Sequence, residues 1–268
     1  MANLFYNFIS RTVSKAKGRK YELDRTIPIG VLFTVVLRRA VWLARGIVKT
    51  TILQGRPRMV FMGPGVKLRN ARMIHFGKGV TLETGVIIDG LSRNGVVLGD
   101  NVSIGAYSVI RSTGVLTNLG VGVQLGNDSA IDAYSFIGAA GGVQIGNQVI
   151  MGQHVSFHAE NHHYDSVDVP IKEQGTSRQG IDVENNCWVG SNVTFLDGAR
   201  LRNGCVIGAG SVVKGNVPEF SVAVGVPARV VKVRTRLGLN PNGDARVPSA
   251  NSHKGREESG SGRDILRR

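Results

Sequence analysis

The chain of 268 residues has few aromatic side chains, few cysteines and no long apolar run. Aromatic residues make up 6% of it, so its core must be assembled mainly from aliphatic and small side chains. Two cysteines are too few for a disulfide framework. The longest apolar run covers residues 27–37, whereas a membrane-spanning helix needs about 20 residues. The N-terminus lacks the basic start and apolar run of a signal peptide, so we expect a cytoplasmic protein.

Glycine and positive charge are abundant instead. The 36 glycines predict frequent turns, and the lack of a Gly-X-Y period excludes collagen. The net charge of +14 is uneven: residues 1–58 carry twelve Lys and Arg against two Asp and Glu, and residues 229–268 carry ten against four. Residues 59–228 carry eleven against thirteen. Two basic arms therefore flank a nearly neutral centre, and such arms favour anionic partners, either a membrane surface or nucleic acid.

An apolar side chain recurs at every sixth position through the central region. An α-helix repeats at 3.6 residues and a long two-sided strand at two, so neither fits. Three short strands with corners form a triangular coil of about 18 residues, in which every sixth side chain points inward. A β-sandwich with frequent turns is the alternative, and the number of hexads in register disfavours it. The predicted inward positions are Met62, Leu68, Phe76, Leu82, Ile88, Leu98, Ile104, Ile110, Leu125, Ile131, Ile137, Ile145, Met151, Phe157, Val183, Val189, Phe195, Leu201, Ile207 and Val213.

The two cysteines follow the same repeat. Cys187 and Cys205 are 18 positions apart, and each lies four residues after an inward position. We expect them to stack in the core of successive coils as reduced, small apolar side chains.

Hexads such as LGDNVS and IGAYSV resemble the left-handed parallel β-helix of the hexapeptide-repeat acyltransferases. The block ENNCWVGSNVTFLDGARLRNGCVIGAGSVVKGNVPEFSVAVGVPARVVK, residues 184–232, resembles the C-terminal signature of the acetyl-CoA-dependent O-acetyltransferases in that superfamily. The resemblance covers about residues 60–232. It implies the left-handed sense of the coil, acetyl-CoA as acyl donor without a metal, and a sugar or glycan hydroxyl as acceptor. It also implies a homotrimer with active-site grooves between subunits.

The repeat breaks at residues 158–180, HAENHHYDSVDVPIKEQGTSRQG, which we predict to be a loop extruded from the wall. His154, His158 and His162 are spaced by four, a spacing that would align them on a helix. We expect no such helix, because the residues up to Phe157 belong to the wall. A zinc enzyme resembling the γ-type carbonic anhydrases stays open as an alternative, as do a small-molecule (xenobiotic) acetyltransferase and a non-catalytic scaffold.

In the resembled family this loop carries an Asn-His-x-Tyr-Asp motif whose histidine is the catalytic base. The matching residues here are 161–165, so the resemblance assigns the base to His162. An alcohol is a poor nucleophile until a base removes its proton, and a neutral imidazole suits that task near pH 7. His158 and His163 have no assigned chemistry. The residues predicted to support the base or the acceptor are Asn161, Tyr164, Asp165, Glu160 and Asp132.

The resemblance also assigns the donor side. Small residues would let the extended arm of acetyl-CoA approach the backbone of the wall, and basic residues would pair with its phosphates. The predicted cofactor-binding residues are Trp188, Gly208, Ala209, Ser211, Pro227, Ala228, Arg229 and Lys232.

These patterns predict three regions. Residues 1–58 form a basic amphipathic arm, residues 59–233 the β-helix, and residues 234–268 a basic, disordered tail. Apolar residues of 37–52 recur at helical spacing, so residues 27–52 either contact an anionic membrane surface or cap the solenoid end. We expect no nucleic-acid binding, because no recognised module accompanies the charge.

Overall fold

Three walls of short parallel strands form a triangular solenoid in the computed structural model, which describes residues 2–17 and 21–234. The chain visits the walls in a fixed order, one strand in each, and then begins the next coil. The predicted fold class, a left-handed parallel β-helix with an extruded loop, is confirmed. The predicted tail lies outside the described residues, apart from its first residue, Arg234.

The first wall consists of β1 (Val60–Met62), β4 (Val80–Leu82), β7 (Ser103–Ile104), β10 (Ala130–Ile131), β13 (Ile150–Met151), β18 (Trp188–Val189), β21 (Val206–Ile207), β24 (Ser221–Val224) and β25 (Arg229–Val233). The second wall consists of β2 (Lys67–Arg69), β5 (Ile87–Asp89), β8 (Val109–Arg111), β11 (Phe136–Gly138), β14 (Ser156–His158), β19 (Thr194–Leu196) and β22 (Val212–Val213). The third wall consists of β3 (Ile74–Phe76), β6 (Val96–Leu98), β9 (Val123–Leu125), β12 (Val143–Ile145), β17 (Ile181–Val183), β20 (Arg200–Leu201) and β23 (Asn216–Val217). Strand β25 closes the C-terminal end by pairing antiparallel with β24.

The predicted inward side chains form one continuous core. All twenty are buried except Leu68, which is partly buried at the first coil and packs against the same core. Phe157 and Phe195 stack in successive coils with ring centroids 4.6 Å apart. Cys187 and Cys205 are buried and free, as predicted. The neighbouring Cys205 thiol and burial raise the pKa of Cys187, so it stays a neutral thiol.

Polar ladders close the corners between the walls. At the corner from the third wall to the first, the side-chain oxygen of Asn127 accepts a bond from the Asp100 N–H (2.8 Å). Asn147 and Asn185 repeat this contact in the next two coils, each at 2.7 Å. The backbone N–H groups at this corner are therefore hydrogen-bonded to the next coil at regular intervals, as those of the strands are.

Two helices precede the solenoid, α1 (Ala2–Lys17) and α2 (Ile29–Gln54). Helix α2 lies across the open N-terminal end, and Gly46 meets β1 so closely that an added Cβ would lie 1.7 Å from the Val60 carbonyl oxygen. Of the two alternatives left open for residues 27–52, this packing corresponds to the cap. The helix is longer than predicted, since it includes most of the apolar segment 27–37. Among the described residues, no helix combines the length and apolar character needed to cross a bilayer.

Candidate functional site

The extruded loop begins one residue later than predicted, because His158 still pairs within the second wall, opposite Gly138 and Leu196. Residues 159–180 form this loop. Its two legs pair as an antiparallel ribbon of β15 (Asn161–His162) and β16 (Thr176–Ser177). A short 3₁₀ helix (Ile171–Glu173) lies near its tip. Backbone pairing in this ribbon holds the two legs of the loop together outside the wall.

A buried carboxylate fixes the point where the loop returns to the wall. Asp197 is 5% exposed, and its oxygens accept bonds from the N–H groups of Gln179 (2.9 Å) and Gly180 (2.8 Å). Arg200 donates to the carbonyl oxygens of the same two residues, at 2.9 and 2.8 Å. The returning leg is therefore held from the next coil. The sequence contained a signal for Asp197, since it lies two residues after inward Phe195 and a strand's alternation turns it inward.

An ion pair joins the two legs near the wall. The Nε of Arg178 donates to Glu160 at 2.6 Å, with exposed side-chain fractions of 19% and 30%. The carboxylate of Glu160, predicted as one candidate partner of the histidine base, thus has Arg178 as its partner instead. Sequence reasoning did not identify Arg178.

His162 lies on the ribbon opposite Thr176 and is solvent-exposed. Adjacent residues of a strand point to opposite faces, so the imidazole lies on one face and the side chain of Asn161 on the other. The N–H of His163 donates to the Gly175 carbonyl oxygen (3.0 Å), which continues the pairing and places its side chain on the Asn161 face. Among the described residues, no hydrogen bond engages the His162 imidazole.

The other two histidines of the four-residue spacing lie in different surroundings. His154 occupies a corner between the first and second walls, where its ring stacks on Tyr134 with centroids 5.3 Å apart. His158 lies on the second wall, with its ring 5.8 Å from that of Phe136. The expectation that no helix aligns them is correct. No group of three or more metal-ligating side chains occurs within residues 2–17 and 21–234.

The loop tip is held by one amide side chain. Gln174 donates to the carbonyl oxygens of Ser166 (2.8 Å) and Val169 (2.7 Å) and accepts from the Ser166 N–H (3.1 Å). Tyr164 and Asp165 are exposed beside this tip. The structure shows no described partner for either side chain, so both are available to an acceptor.

Two further insertions lie at the same corner as the extruded loop. Between the wall strands of residues 60–224, corners have at most four residues except at 90–95, 112–122 and 159–180, all of which join the second wall to the third. Thr113 donates to the Leu91 carbonyl oxygen (2.6 Å), and Arg178 to that of Asn118 (3.5 Å). The three insertions therefore form one rim. In the sequence, the insertions at 90–95 and 112–122 appear as longer spacings between successive hexads.

The predicted donor-side residues lie on the first wall and at its corner with the second. Trp188 is 56% exposed and stands beside Ile150 and Val206 of neighbouring coils. Gly208 and Ala209 follow at the corner, with Ala209 exposed. These positions combine an exposed indole with small residues at the corner.

The side chain of Ser211, a predicted cofactor-binding residue, does not lie on the outer surface. It is buried, its hydroxyl donates to the Gly208 carbonyl oxygen (2.7 Å), and it accepts from the Gly225 N–H (3.1 Å). The hydroxyl is thus engaged inside the fold, which leaves it unavailable to a cofactor on the outer surface.

The C-terminal segment returns along the last coil. The Ala228 N–H donates to the Val212 carbonyl oxygen (2.8 Å), which fastens the turn containing Pro227 to the second wall. Arg229 and Lys232 are exposed on β25. Their charges are accessible to a phosphate-bearing ligand.

Within one chain, the structure does not bring the predicted base and donor residues together. The loop projects from the corner between the second and third walls, whereas Gly208 and Ala209 lie at the corner between the first and second. Asp132 lies at that latter corner too, in the coil before the loop, and its carboxylate accepts from the Ala133 N–H (2.7 Å). One chain holds two halves of a candidate site on separate edges.

Two acidic residues of the third wall and its corner, Asp182 and Glu184, have shifted pKa values. Burial raises the pKa of Asp182, and the charge of Arg200 opposes that shift. On the same wall, a hydrogen bond from Arg202 lowers the pKa of Glu184. Both carboxylates belong to the third wall and its corner, so neither is placed to take a proton on the loop.

The family description "Bacterial transferase hexapeptide (six repeats)" matches residues 180–215. A putative lipopolysaccharide biosynthesis O-acetyl transferase of Escherichia coli, WbbJ, is 31% identical over 166 residues, covering 62% of this chain and 74% of that protein. The chain belongs to the hexapeptide-repeat acyltransferases.

Two other relatives match over shorter shares of their length. A probable acetyltransferase of Mycobacterium tuberculosis is 33% identical over 162 residues, covering 60% of this chain and 50% of the relative. The galactoside O-acetyltransferase of E. coli is 34% identical over 91 residues, covering 34% and 43%. The matched region thus spans half or less of these two relatives.

Proposed function

We propose that the chain transfers an acetyl group from acetyl-CoA to a hydroxyl of a sugar or glycan, with His162 as general base. The observation that carries this proposal is the extruded loop, which holds an exposed, unengaged imidazole on a ribbon fixed to a rigid wall. The names of two relatives, a lipopolysaccharide O-acetyl transferase and a galactoside O-acetyltransferase, support oxygen in a saccharide as the acceptor atom.

The proposed chemistry is direct transfer. The imidazole of His162 takes the hydroxyl proton while the oxygen attacks the thioester carbon. Backbone N–H groups stabilise the oxyanion of the tetrahedral intermediate. The intermediate then loses the CoA thiolate as the C–S bond breaks, and the proton held by His162 passes to that sulfur. The products are the O-acetyl ester and CoA thiol.

We propose that the site is completed in a homotrimer. The loop and the donor-side residues lie on different edges of one solenoid, so a closed cyclic assembly would set the loop of one chain against the first wall of the next. Trp188 and the Gly208–Ala209 corner would line the pantetheine arm, with Arg229 and Lys232 near the phosphates. Sedimentation of the full chain tests this assembly, and a stable monomer that is fully active would contradict it.

The reaction is tested with acetyl-CoA labelled in its acetyl group. The full chain is incubated with a panel of galactosides, lipopolysaccharide-type oligosaccharides and hydroxyl-bearing antibiotics, and label transfer and CoA release are measured together. We expect an alkali-labile saccharide ester formed in step with free CoA. Label found only on amines, or only on antibiotics, would contradict the proposed acceptor.

A further inference from the structure

One side of α2 is a continuous apolar surface that no described residue covers. Its members are spaced at four or seven residues, so they lie along one side of the helix, and all are exposed. Phe33 is 59% exposed and Ile52 74%. A helix of 26 residues is about 39 Å long, so the surface is extended rather than a local patch. We call it the α2 stripe: Ile29, Phe33, Leu37, Val41, Val48 and Ile52.

Three of the four charged residues of α2 bond to the solenoid, whereas the fourth, Arg38, is exposed and lies over the Trp42 ring. Arg39 donates to the Thr81 hydroxyl (3.3 Å), Arg45 to the Met62 carbonyl oxygen (2.8 Å) and Lys49 to the carbonyl oxygen of Val66. This arrangement reverses the usual one for a helix on a protein surface, where the apolar side packs inward. The basic side of α2 caps the first coil, and the α2 stripe faces away from it.

The positive charge of the sequence is concentrated in its first 82 residues, which include both helices and the strands of the first coil. Residues 1–82 carry sixteen Lys and Arg against two Asp and Glu, whereas the remaining 186 residues carry seventeen of each. Around the C-terminal end of α2, Arg56, Lys67, Arg69 and Arg72 are exposed. An uncharged apolar stripe is therefore bordered by a strongly basic rim.

We propose that this end of the solenoid docks on an anionic lipid bilayer, with the α2 stripe entering the interface and the basic rim contacting the headgroups. Apolar side chains bury at the headgroup–acyl boundary, and nearby Lys and Arg gain from the negative surface potential. A second copy of the chain is the less favourable occupant, because end-to-end stacking would bring two strongly positive regions together. Nucleic acid would match the charge and leave the stripe uncovered.

Given the proposed function, docking in this orientation also sets how far the extruded loop stands from the membrane, and therefore which part of a membrane-linked acceptor can reach it. From β2 to β14 there are four coil steps along the second wall, or about 19 Å at a strand spacing of roughly 4.8 Å. The extruded loop would thus stand about that far above the first coil. A membrane-linked glycan would reach His162 with a sugar remote from its lipid, and headgroup-proximal sugars would stay below the site.

Vesicle flotation of the full chain tests the docking. The probes are vesicles of phosphatidylcholine with phosphatidylglycerol, and vesicles of phosphatidylcholine alone. We expect binding to the mixed vesicles that weakens with added salt, and little binding to the neutral ones. Leu37→Glu should weaken binding to the mixed vesicles about tenfold, because it places a charge where a large apolar side chain would be buried.

Leu116→Glu provides the matched control, since Leu116 is 79% exposed and lies in the 112–122 insertion, away from α2. We expect it to bind vesicles as the wild type does. Absence of binding to mixed vesicles, or equal binding by wild type and Leu37→Glu, would overturn the proposal. Wild-type self-association that Leu37→Glu abolishes, without vesicle binding, would identify a second copy as the occupant. Acetyl transfer to a soluble saccharide, measured on the same preparations, tests the proposed reaction separately.

Discussion

The walls of the solenoid and the loop at residues 159–180 obtain their order by different means. In the walls, each strand except those at the two ends bonds to the coils before and after it, and the core side chains stack in register. The loop has a ribbon of two residue pairs, and otherwise depends on Asp197, Arg200, Arg178 and Gln174. Order in the walls is therefore distributed over many equivalent contacts, whereas order in the loop rests on a few particular side chains.

The largest difference in the loss of unfolding free energy should appear between substitution of a buried wall residue and substitution of an exposed loop residue. Phe195→Ala removes a fully buried ring that stacks on Phe157, and we expect it to cost about 3–5 kcal/mol of unfolding free energy. Val167→Ala, at a loop position that is 95% exposed, should change it by less than about 0.5 kcal/mol. Thermal unfolding measures both, and equal destabilisation would contradict the distinction.

Removal of the buried carboxylate should loosen the loop while leaving the walls intact. Asp197→Ala leaves the N–H groups of Gln179 and Gly180 without their acceptor, at a cost of about 1–3 kcal/mol. Hydrogen exchange should rise at residues 176–180 and acetyl transfer should fall. Asp168→Ala, which removes an exposed loop carboxylate, is the control and should change neither. Unchanged exchange at 176–180 in Asp197→Ala would show that other contacts hold the loop.

Loss of the Glu160–Arg178 ion pair should have a smaller effect. The pair is partly exposed, so Glu160→Ala should lower global stability by no more than about 1 kcal/mol. Limited proteolysis within the loop should become faster, since the two legs are no longer joined there. A cleavage rate equal to that of the wild type would show that the ribbon alone holds the legs.

The smallest effect on stability is expected on the outer face of the first wall. Trp188 is 56% exposed, so Trp188→Ala should change the unfolding free energy by less than about 0.5 kcal/mol. If the indole lines the donor groove, the KM for acetyl-CoA should rise severalfold while kcat changes less. An unchanged KM would remove Trp188 from the proposed donor site.

The sequence predicted the walls far better than the loop, for a physical reason. A period of six fixes which side chains face inward, so the buried positions of Phe157, Cys187 and Phe195 follow from the sequence alone. The loop has no period, and its path depends on contacts between residues distant in sequence, such as Asp197 with Gly180. The apolar side of α2 was also recognised from spacing, yet its outward orientation follows from the bonds of Arg45 and Lys49 to the first coil.

The most direct test of the central claim compares acetyl transfer by two variants of adjacent loop residues. His162 and His163 are both exposed, and their side chains point to opposite faces of the ribbon. We expect His162→Ala to lower the transfer rate by about 10²–10⁴-fold, the range for loss of a general base, while sedimentation and CoA binding stay unchanged. His163→Ala should keep nearly the wild-type rate. Full activity in His162→Ala, or an equal loss in both variants, would contradict the assignment of the base.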